Sequence, residues 1–216
     1  MPVEVPRPRL YLASRSPRRR ELLAQIGVAF DTLVLRSPPR DVCELDESPL
    51  AAEDPIEYVQ RIARRKAEHG WSIVEWRKLP PQAVLAADTT LVLAGELIGK
   101  PRDADDAGTI LRRLSGKGHR VLSAVAVAHS GRIETVLSVS EVRFRVLEEE
   151  EIARYVASGE PMDKAGAYGI QGLGATLVER IHGDYFAVMG LALGRLVGLL
   201  REVGIAYHFR GLERES

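Results

Sequence analysis

A chain of 216 residues is long enough for one compact unit with its own core. Hydrophobic residues make up 45% and charged residues 28%, which excludes a disordered chain held open by low hydropathy and unbalanced charge. Thirty Lys+Arg against thirty Asp+Glu leave no basic surplus of the kind that coats nucleic acid or an anionic membrane, although a local patch fits inside that zero.

Met1 to Pro8 holds three prolines and no apolar run, so it is expected to be a flexible extension and not a signal peptide. Leu10–Ala13 is a short apolar strand. It leads into Ser14-Arg15-Ser16-Pro17, where Ser16 as N-cap and Pro17 as first helical residue predict a helix with Leu22, Leu23 and Ile26 inward and Gly27 as its stop. Val28 to Leu35 reads as a second strand. Ser37 to Asp54, rich in proline and acids, reads as a long loop. Asp54-Pro55 repeats the cap-then-proline start, and Val59, Ile62, Ala63 and Lys66 share one stripe of the helix that follows. After Leu79-Pro80-Pro81, the run Ala83–Ala87 is a buried strand that ends at Asp88. Leu91–Leu93 and Leu97–Ile98 form a hairpin around Gly95. Asp103 caps a helix with Ala107, Ile110, Leu111 and Leu114 inward.

Val121–Ala128 and Thr135–Arg145 are strands joined at Ser130-Gly131, the second alternating between a buried and a wet face. A helix from about Glu148 to Ser158 precedes a glycine loop, Asp163–Gly174. Leu177–Val178 and Tyr185–Val188 are expected to pair as a hairpin around His182-Gly183-Asp184. The last helix carries Leu193, Leu196, Val197 and Leu200 and stops at Gly204. Helices alternating with hairpins predict an α/β fold on a mixed sheet, one unit over 9–206 with a tail from 207 to 216. Cys43 is the only cysteine, so no disulfide closes within the chain and no thiolate cluster forms. No run reaches the roughly 18 apolar residues of a membrane span, and a cytoplasmic protein is expected.

Four constellations bear chemistry. Arg18, Arg19 and Arg20 occupy a first helical turn, where the dipole disfavours each cation by roughly 0.3–1 kcal/mol. A bound phosphate rationalises them; a solvated basic turn is the alternative. Asp88, beyond a buried strand, suits a metal ligand or a proton acceptor, or only a strand-terminating turn. Glu47 is a second metal ligand on one reading and a solvated loop acid on the other. Lys66 faces inward unless its stem snorkels out, and Lys100 follows a hairpin as a phosphate contact or an exposed loop lysine. Together Arg18, Arg19, Lys66 and Lys100 are what a triphosphate needs, and Glu47 and Asp88 are what its metal needs. In the fourth, Ala165–Gly174, the glycines allow close backbone approach and Gln171 offers an amide to a base edge; turn-making alone also explains such loops. The five histidines lack metal-ligand spacing, Ser14 and Ser16 lack triad partners, and Trp71 and Trp76 read as packing.

The ordered set resembles one family. Ser14-Arg15-Ser16-Pro17-Arg18-Arg19 with Glu21-Leu22-Leu23, Asp46-Glu47, Ile62-Ala63 with Lys66-Ala67, Ala87-Asp88-Thr89, Gly99–Asp103, Leu114-Ser115-Gly116 and Val156–Gly172 look like the motifs of the Maf nucleotide pyrophosphatases, over roughly residues 9 to 203. That resemblance implies a Maf and inosine-triphosphatase-like fold with a cleft between two lobes. It also implies a divalent metal, Mg²⁺ or Mn²⁺, and hydrolysis of a nucleoside triphosphate to monophosphate and pyrophosphate, clearing non-canonical nucleotides. Asp88 matches the family's proton acceptor; Arg18, Thr89 and Gln171 match positions of substrate choice; Ser14, Arg19, Glu47, Lys66 and Lys100 match cleft residues around phosphates and metal. The Asp163–Gly172 stretch is similar to the dTTP- and UTP-cleaving branch, with modified pyrimidine triphosphates as further substrates. A 7-methyl-GTP or other modified-purine pyrophosphatase is one alternative; a non-catalytic nucleotide-binding regulator of cell division or septum formation is the other. No nucleic-acid or membrane partner is expected, and the resemblance implies a homodimer. Ala187 and Ala192 stand where the family usually has Asn and Pro.

Overall fold

The computed structural model describes residues 9–33, 46–209 and 211–214. The extension at 1–8, Cys43, and the first part of the acidic loop lie outside them. In chain order the elements are β1 (Leu10–Leu12), α1 (Pro17–Gln25), β2 (Phe30–Thr32), α2 (Pro55–Trp76), β3 (Val84–Leu93), β4 (Glu96–Ile98), α3 (Ala104–Leu114), β5 (Gly118–His129), β6 (Arg132–Phe144) and α4 (Glu149–Ala157). Three short 3₁₀ turns follow, at Glu160–Asp163, Ala165–Ala167 and Gly172–Leu177, and then β7 (Val178–His182), α5 (Tyr185–Met189), α6 (Leu193–Glu202), β8 (Ile205–Tyr207) and β9 (Leu212–Arg214).

The sheet runs β2-β1-β3-β5-β6-β7. β1 pairs parallel with β2 and β3, and the other pairings are antiparallel, so the sheet is mixed as its hairpins predict. On one edge, β3 is paired with β5 from Val84 to Val92. On its other edge it meets β1 only at Val84 and Leu85, and β4 only from Leu91 to Leu93. Between those partners the edge of β3 carries no strand among the described residues, and this is where the cleft opens.

Three apolar clusters cover the sheet. α1, α5 and α6 pack on the face bearing Leu85 and Ala87, and α2 packs on the opposite face, against Val84 and Ala86. The far half of the sheet, around Leu91, Val121 and Phe144, is covered by α3, α4 and the 3₁₀ turns. These are the two lobes. Gly70 lets α2 lie close: a Cβ there would stand 2.7 Å from Val84 Cγ1. The Asp54 and Asp103 caps form as expected, accepting from the Ile56 and Asp106 amides.

The structure corrects several expectations. Asp88 lies inside a ten-residue strand, not at its end, because Thr89–Leu93 continue the ladder with β5. Tyr185–Val188 is helical; Asp184 Oδ1 accepts from the Phe186 and Ala187 amides and so starts α5 where a returning strand was expected. Ile205–Tyr207 and Leu212–Arg214 pair as the antiparallel β8–β9 ribbon, with Leu212 in the core. Ser16 makes no side-chain cap; Ser14 Oγ accepts from its backbone amide instead. Trp76 is exposed, and its indole is not part of the packing.

Candidate active site

Each functional side chain is placed by strand alternation or helical spacing. Along β3 even-numbered residues face α2 and odd-numbered residues face α1 and α5. Asp88 therefore points at α2, where Lys66 sits one turn beyond Ile62 on the buried stripe. Lys66 Nζ donates to Asp88 Oδ1 at 2.9 Å and to Glu47 Oε2 at 2.8 Å, so one ammonium bridges both carboxylates. The Lys66 and Asp88 side chains are each 14% exposed, and Glu47 is 51% exposed. The lysine does not snorkel out.

α2 also brings Glu47 into place. Tyr58 donates its hydroxyl to the Glu47 carbonyl at 3.0 Å, Arg61 donates to the Ser48 carbonyl and pairs with Glu53, and Arg65 donates to the Asp46 carbonyl. Burial, then the neighbouring Asp88 and Glu47 charges, push the Tyr58 phenol up to about 12, so it remains a donor at neutral pH.

Thr89 points the other way and meets α1. Arg19 donates to Ser14 Oγ at 3.0 Å, to Thr89 Oγ1 at 3.3 Å and to the Gly190 carbonyl at 2.8 Å. Thr89 Oγ1 also lies 3.1 Å from Ser123 Oγ across the β3–β5 ladder. Burial lowers the Arg19 guanidinium pKa, against the opposing pull of Asp88. The three arginines of α1 thus have three fates. Arg18 lines the cleft with no hydrogen bond or ion pair among the described residues, Arg19 is committed inside the fold, and Arg20 turns back to the Arg15 carbonyl.

The cleft encloses about 620 Å³, within the range of small-molecule sites. Ser14, Arg18, Arg19, Glu47, Lys66, Asp88, Thr89 and Lys100 all line it. Lys100 comes from the link after β4, held there as Gly99 O accepts from Gly166 N at 2.9 Å. Tyr168, Gly169, Ile170, Val188 and Met189 give the remaining wall a more apolar character. Gln171 is not in that wall; it is exposed just beyond Ile170. Sequence reasoning missed His69, one turn beyond Lys66 on α2, and Val188, Met189 and Gly190 at the end of α5; all line the cleft. The i, i+3 spacing from Lys66 is the signal that finds His69.

Glu47 and Asp88 face one cationic point, and no group of three or more His, Cys, Asp or Glu able to hold a metal occurs among the described residues. Two carboxylates fit a hard divalent ion that completes its shell with water and phosphate oxygens, and do not fit a closed structural site. No helix among the described residues is long and apolar enough to cross a membrane.

Fold and cleft together define a mixed α/β protein in which a lysine-bridged pair of acids faces cations across a ligand-sized space. The chain belongs to the Maf family, the model described as "Maf-like protein" matching residues 9–203. It is 59% identical to a protein of Dechloromonas aromatica over 196 residues, covering 91% of this chain and 98% of that one. It is 55% identical to one of Aromatoleum aromaticum over 197 residues, covering 91% and 96%, and 50% identical to one of Ralstonia nicotianae over 205 residues, covering 94% and 98%. Each of the three is named dTTP/UTP pyrophosphatase.

Proposed function

We propose that this chain hydrolyses dTTP and UTP to the monophosphate and pyrophosphate; that its relatives are named dTTP/UTP pyrophosphatase supports the reading. The observation that carries the chemistry is the Lys66 ammonium held between Asp88 and Glu47, with Arg18 and Lys100 uncommitted in the same cleft. Arg18 and Lys100 have donors to spare for phosphate oxygens. Asp88, fixed on a fully paired strand edge and oriented by Lys66, accepts the proton of the attacking water. Arg19 shapes the phosphate end from behind: its bonds to Ser14 Oγ, to Thr89 Oγ1 and to the Gly190 carbonyl set the wall against which the substrate lies. Glu47 and Asp88 would hold Mg²⁺ or Mn²⁺, which when bound neutralises charge on the phosphates. Gln171, at the rim, is within the loop best placed to contact the base.

The same reading makes residues 9–206 one catalytic unit of a cytoplasmic homodimer that clears non-canonical nucleotides, with no nucleic-acid or membrane partner. A panel of dTTP, UTP, CTP, ATP, GTP and 7-methyl-GTP, each with Mg²⁺ or Mn²⁺ and assayed for pyrophosphate, tests it. Highest kcat/KM on dTTP and UTP is expected. Preference for 7-methyl-GTP, or tight nucleotide binding without pyrophosphate release, overturns it.

A further inference from the structure

We propose that Glu160 is a positioning residue for base selection, acting on the rim of the cleft at Gly169–Gln171. The proposal rests on the cleft being a nucleotide site. Glu160 opens the first 3₁₀ turn, behind Gly159 in the left-handed region at φ 74°. Its Oε1 accepts from the Tyr155 hydroxyl at 2.9 Å and from the Gly174 amide at 2.9 Å, and its Oε2 accepts from the Leu173 amide at 2.9 Å. The Tyr155 oxygen in turn accepts from the Gly169 amide at 3.2 Å. Gln171 is therefore pinned on both flanks by one carboxylate and the phenol attached to it.

The glycines fit this role. A Cβ on Gly172 would stand 2.7 Å from Glu160 Oε2, and one on Gly174 would stand 2.5 Å from the Tyr155 oxygen. The backbone thus wraps the carboxylate more closely than any side chain permits. Three donors converging on two oxygens require an acceptor-only group; an amide would turn its NH₂ toward one of them. Burial pushes the Glu160 carboxyl up, but the Gly174 and Leu173 amides, the Tyr155 hydroxyl and the Lys164 charge outweigh it, so the group stays ionised.

Glu160 does not line the cleft, whereas Gly169 and Ile170 do. Its influence reaches the ligand only through them, and none of its bonds touches the Glu47–Lys66–Asp88 group. Loss of the clamp should therefore blur recognition of the base and spare recognition of the polyphosphate.

The experiment compares the wild type, Glu160→Gln and Tyr155→Phe. It measures kcat/KM for dTTP and for GTP, and competitive inhibition by inorganic tripolyphosphate. Discrimination between the two nucleotides should fall about tenfold in Glu160→Gln. It should fall comparably in Tyr155→Phe, which frees Gly169, the residue through which the clamp reaches the cleft. The tripolyphosphate constant should stay within about twofold. Equal losses on both nucleotides, or a parallel weakening of tripolyphosphate, overturn the proposal. If Glu160→Gln does not fold, Tyr155→Phe decides by the same readout. If the wild type releases no pyrophosphate, the proposed function fails by itself, and the clamp is judged from the dissociation constants of dTTP, GTP and tripolyphosphate.

Discussion

Replacing Asp88 by Asn separates chemistry from architecture, because the two side chains have nearly the same shape. Asn keeps an oxygen for Lys66 Nζ, now 2.9 Å from Asp88 Oδ1, and Lys66 keeps its second partner, Glu47. Exchanging a charge-assisted hydrogen bond for a neutral one costs about 1 kcal/mol, and less here because Glu47 stays half in water. Set against the roughly 5–15 kcal/mol that holds a domain folded, that loss leaves nearly all molecules native. The β3–β5 pairing of residue 88 with Ala124 is a backbone matter and is unaffected. Turnover responds differently. A general base contributes about 10²–10⁴-fold, equivalent to roughly 3–5 kcal/mol of barrier, and an amide accepts no proton. Pyrophosphate release from dTTP, measured beside circular dichroism and thermal unfolding, should drop by at least about a hundredfold with little change in Tm. Turnover within tenfold of wild type refutes Asp88 as the proton acceptor.

Arg19→Lys should destabilise the protein although charge is conserved, because one ammonium cannot span Ser14, Thr89 and the Gly190 carbonyl. A loss of about 2–4 kcal/mol, read as a Tm drop of roughly 5–15 °C, is expected, and an unchanged Tm would show the guanidinium to be dispensable. Burial holds the His119 imidazole down at about 4 against an ordinary 6.5. The unfolded chain therefore takes up a proton first as the medium acidifies. Stability should be level above pH 6.5, fall by about 3 kcal/mol as pH drops to about 4 and level off below, and His119→Gln should remove that slope in urea titrations. Arg61 holds the Glu53 carboxyl down at about 2, below its ordinary 4.5. Its anchoring of the 46–54 segment should be complete above pH 4.5 and lost as pH falls through about 2. The protection factor of the Leu50 amide, whose N–H donates to Glu53, should follow it, and a protection factor that does not change over this range would contradict the anchor.

Much of this arrangement was legible in residue order. Asp54-Pro55 and Asp103 announced their helices because capping is local chemistry, satisfied within three residues. Lys66 shares a stripe with Val59, Ile62 and Ala63, which points its stem inward; that it meets Asp88 and Glu47 and does not snorkel out is seen only in the fold. Other features depended on distant partners. Arg18, Arg19 and Arg20 are alike as letters; distant partners, Thr89 and the carbonyl of Gly190 171 residues away, draw Arg19 inside. Tyr185–Val188 has the composition of a strand, and a single Asp184 carboxylate turns it into α5. Ala187, where the family has Asn, is fully buried among apolar neighbours, so the position is a packing contact in this chain. Ala192 is likewise buried at the start of α6. Gln171 follows a rule of neither kind: its place is set by glycines that pass around Glu160.

The stretch of β3 without a neighbour on one edge has a consequence for how such a protein changes over time. Asp88 and Thr89 belong to a strand locked to β5 along its other side, so they are the least movable groups in the site. Their direct partners, Lys66 and Arg19, come from α2 and α1, while the outer walls of the cleft arrive on separate pieces of chain: the link after β4, the 3₁₀ turns and α5. Each of these can drift in length or composition without disturbing the strand. On the proposed function, the walls that meet the base can therefore change while Asp88 and Thr89 keep their place.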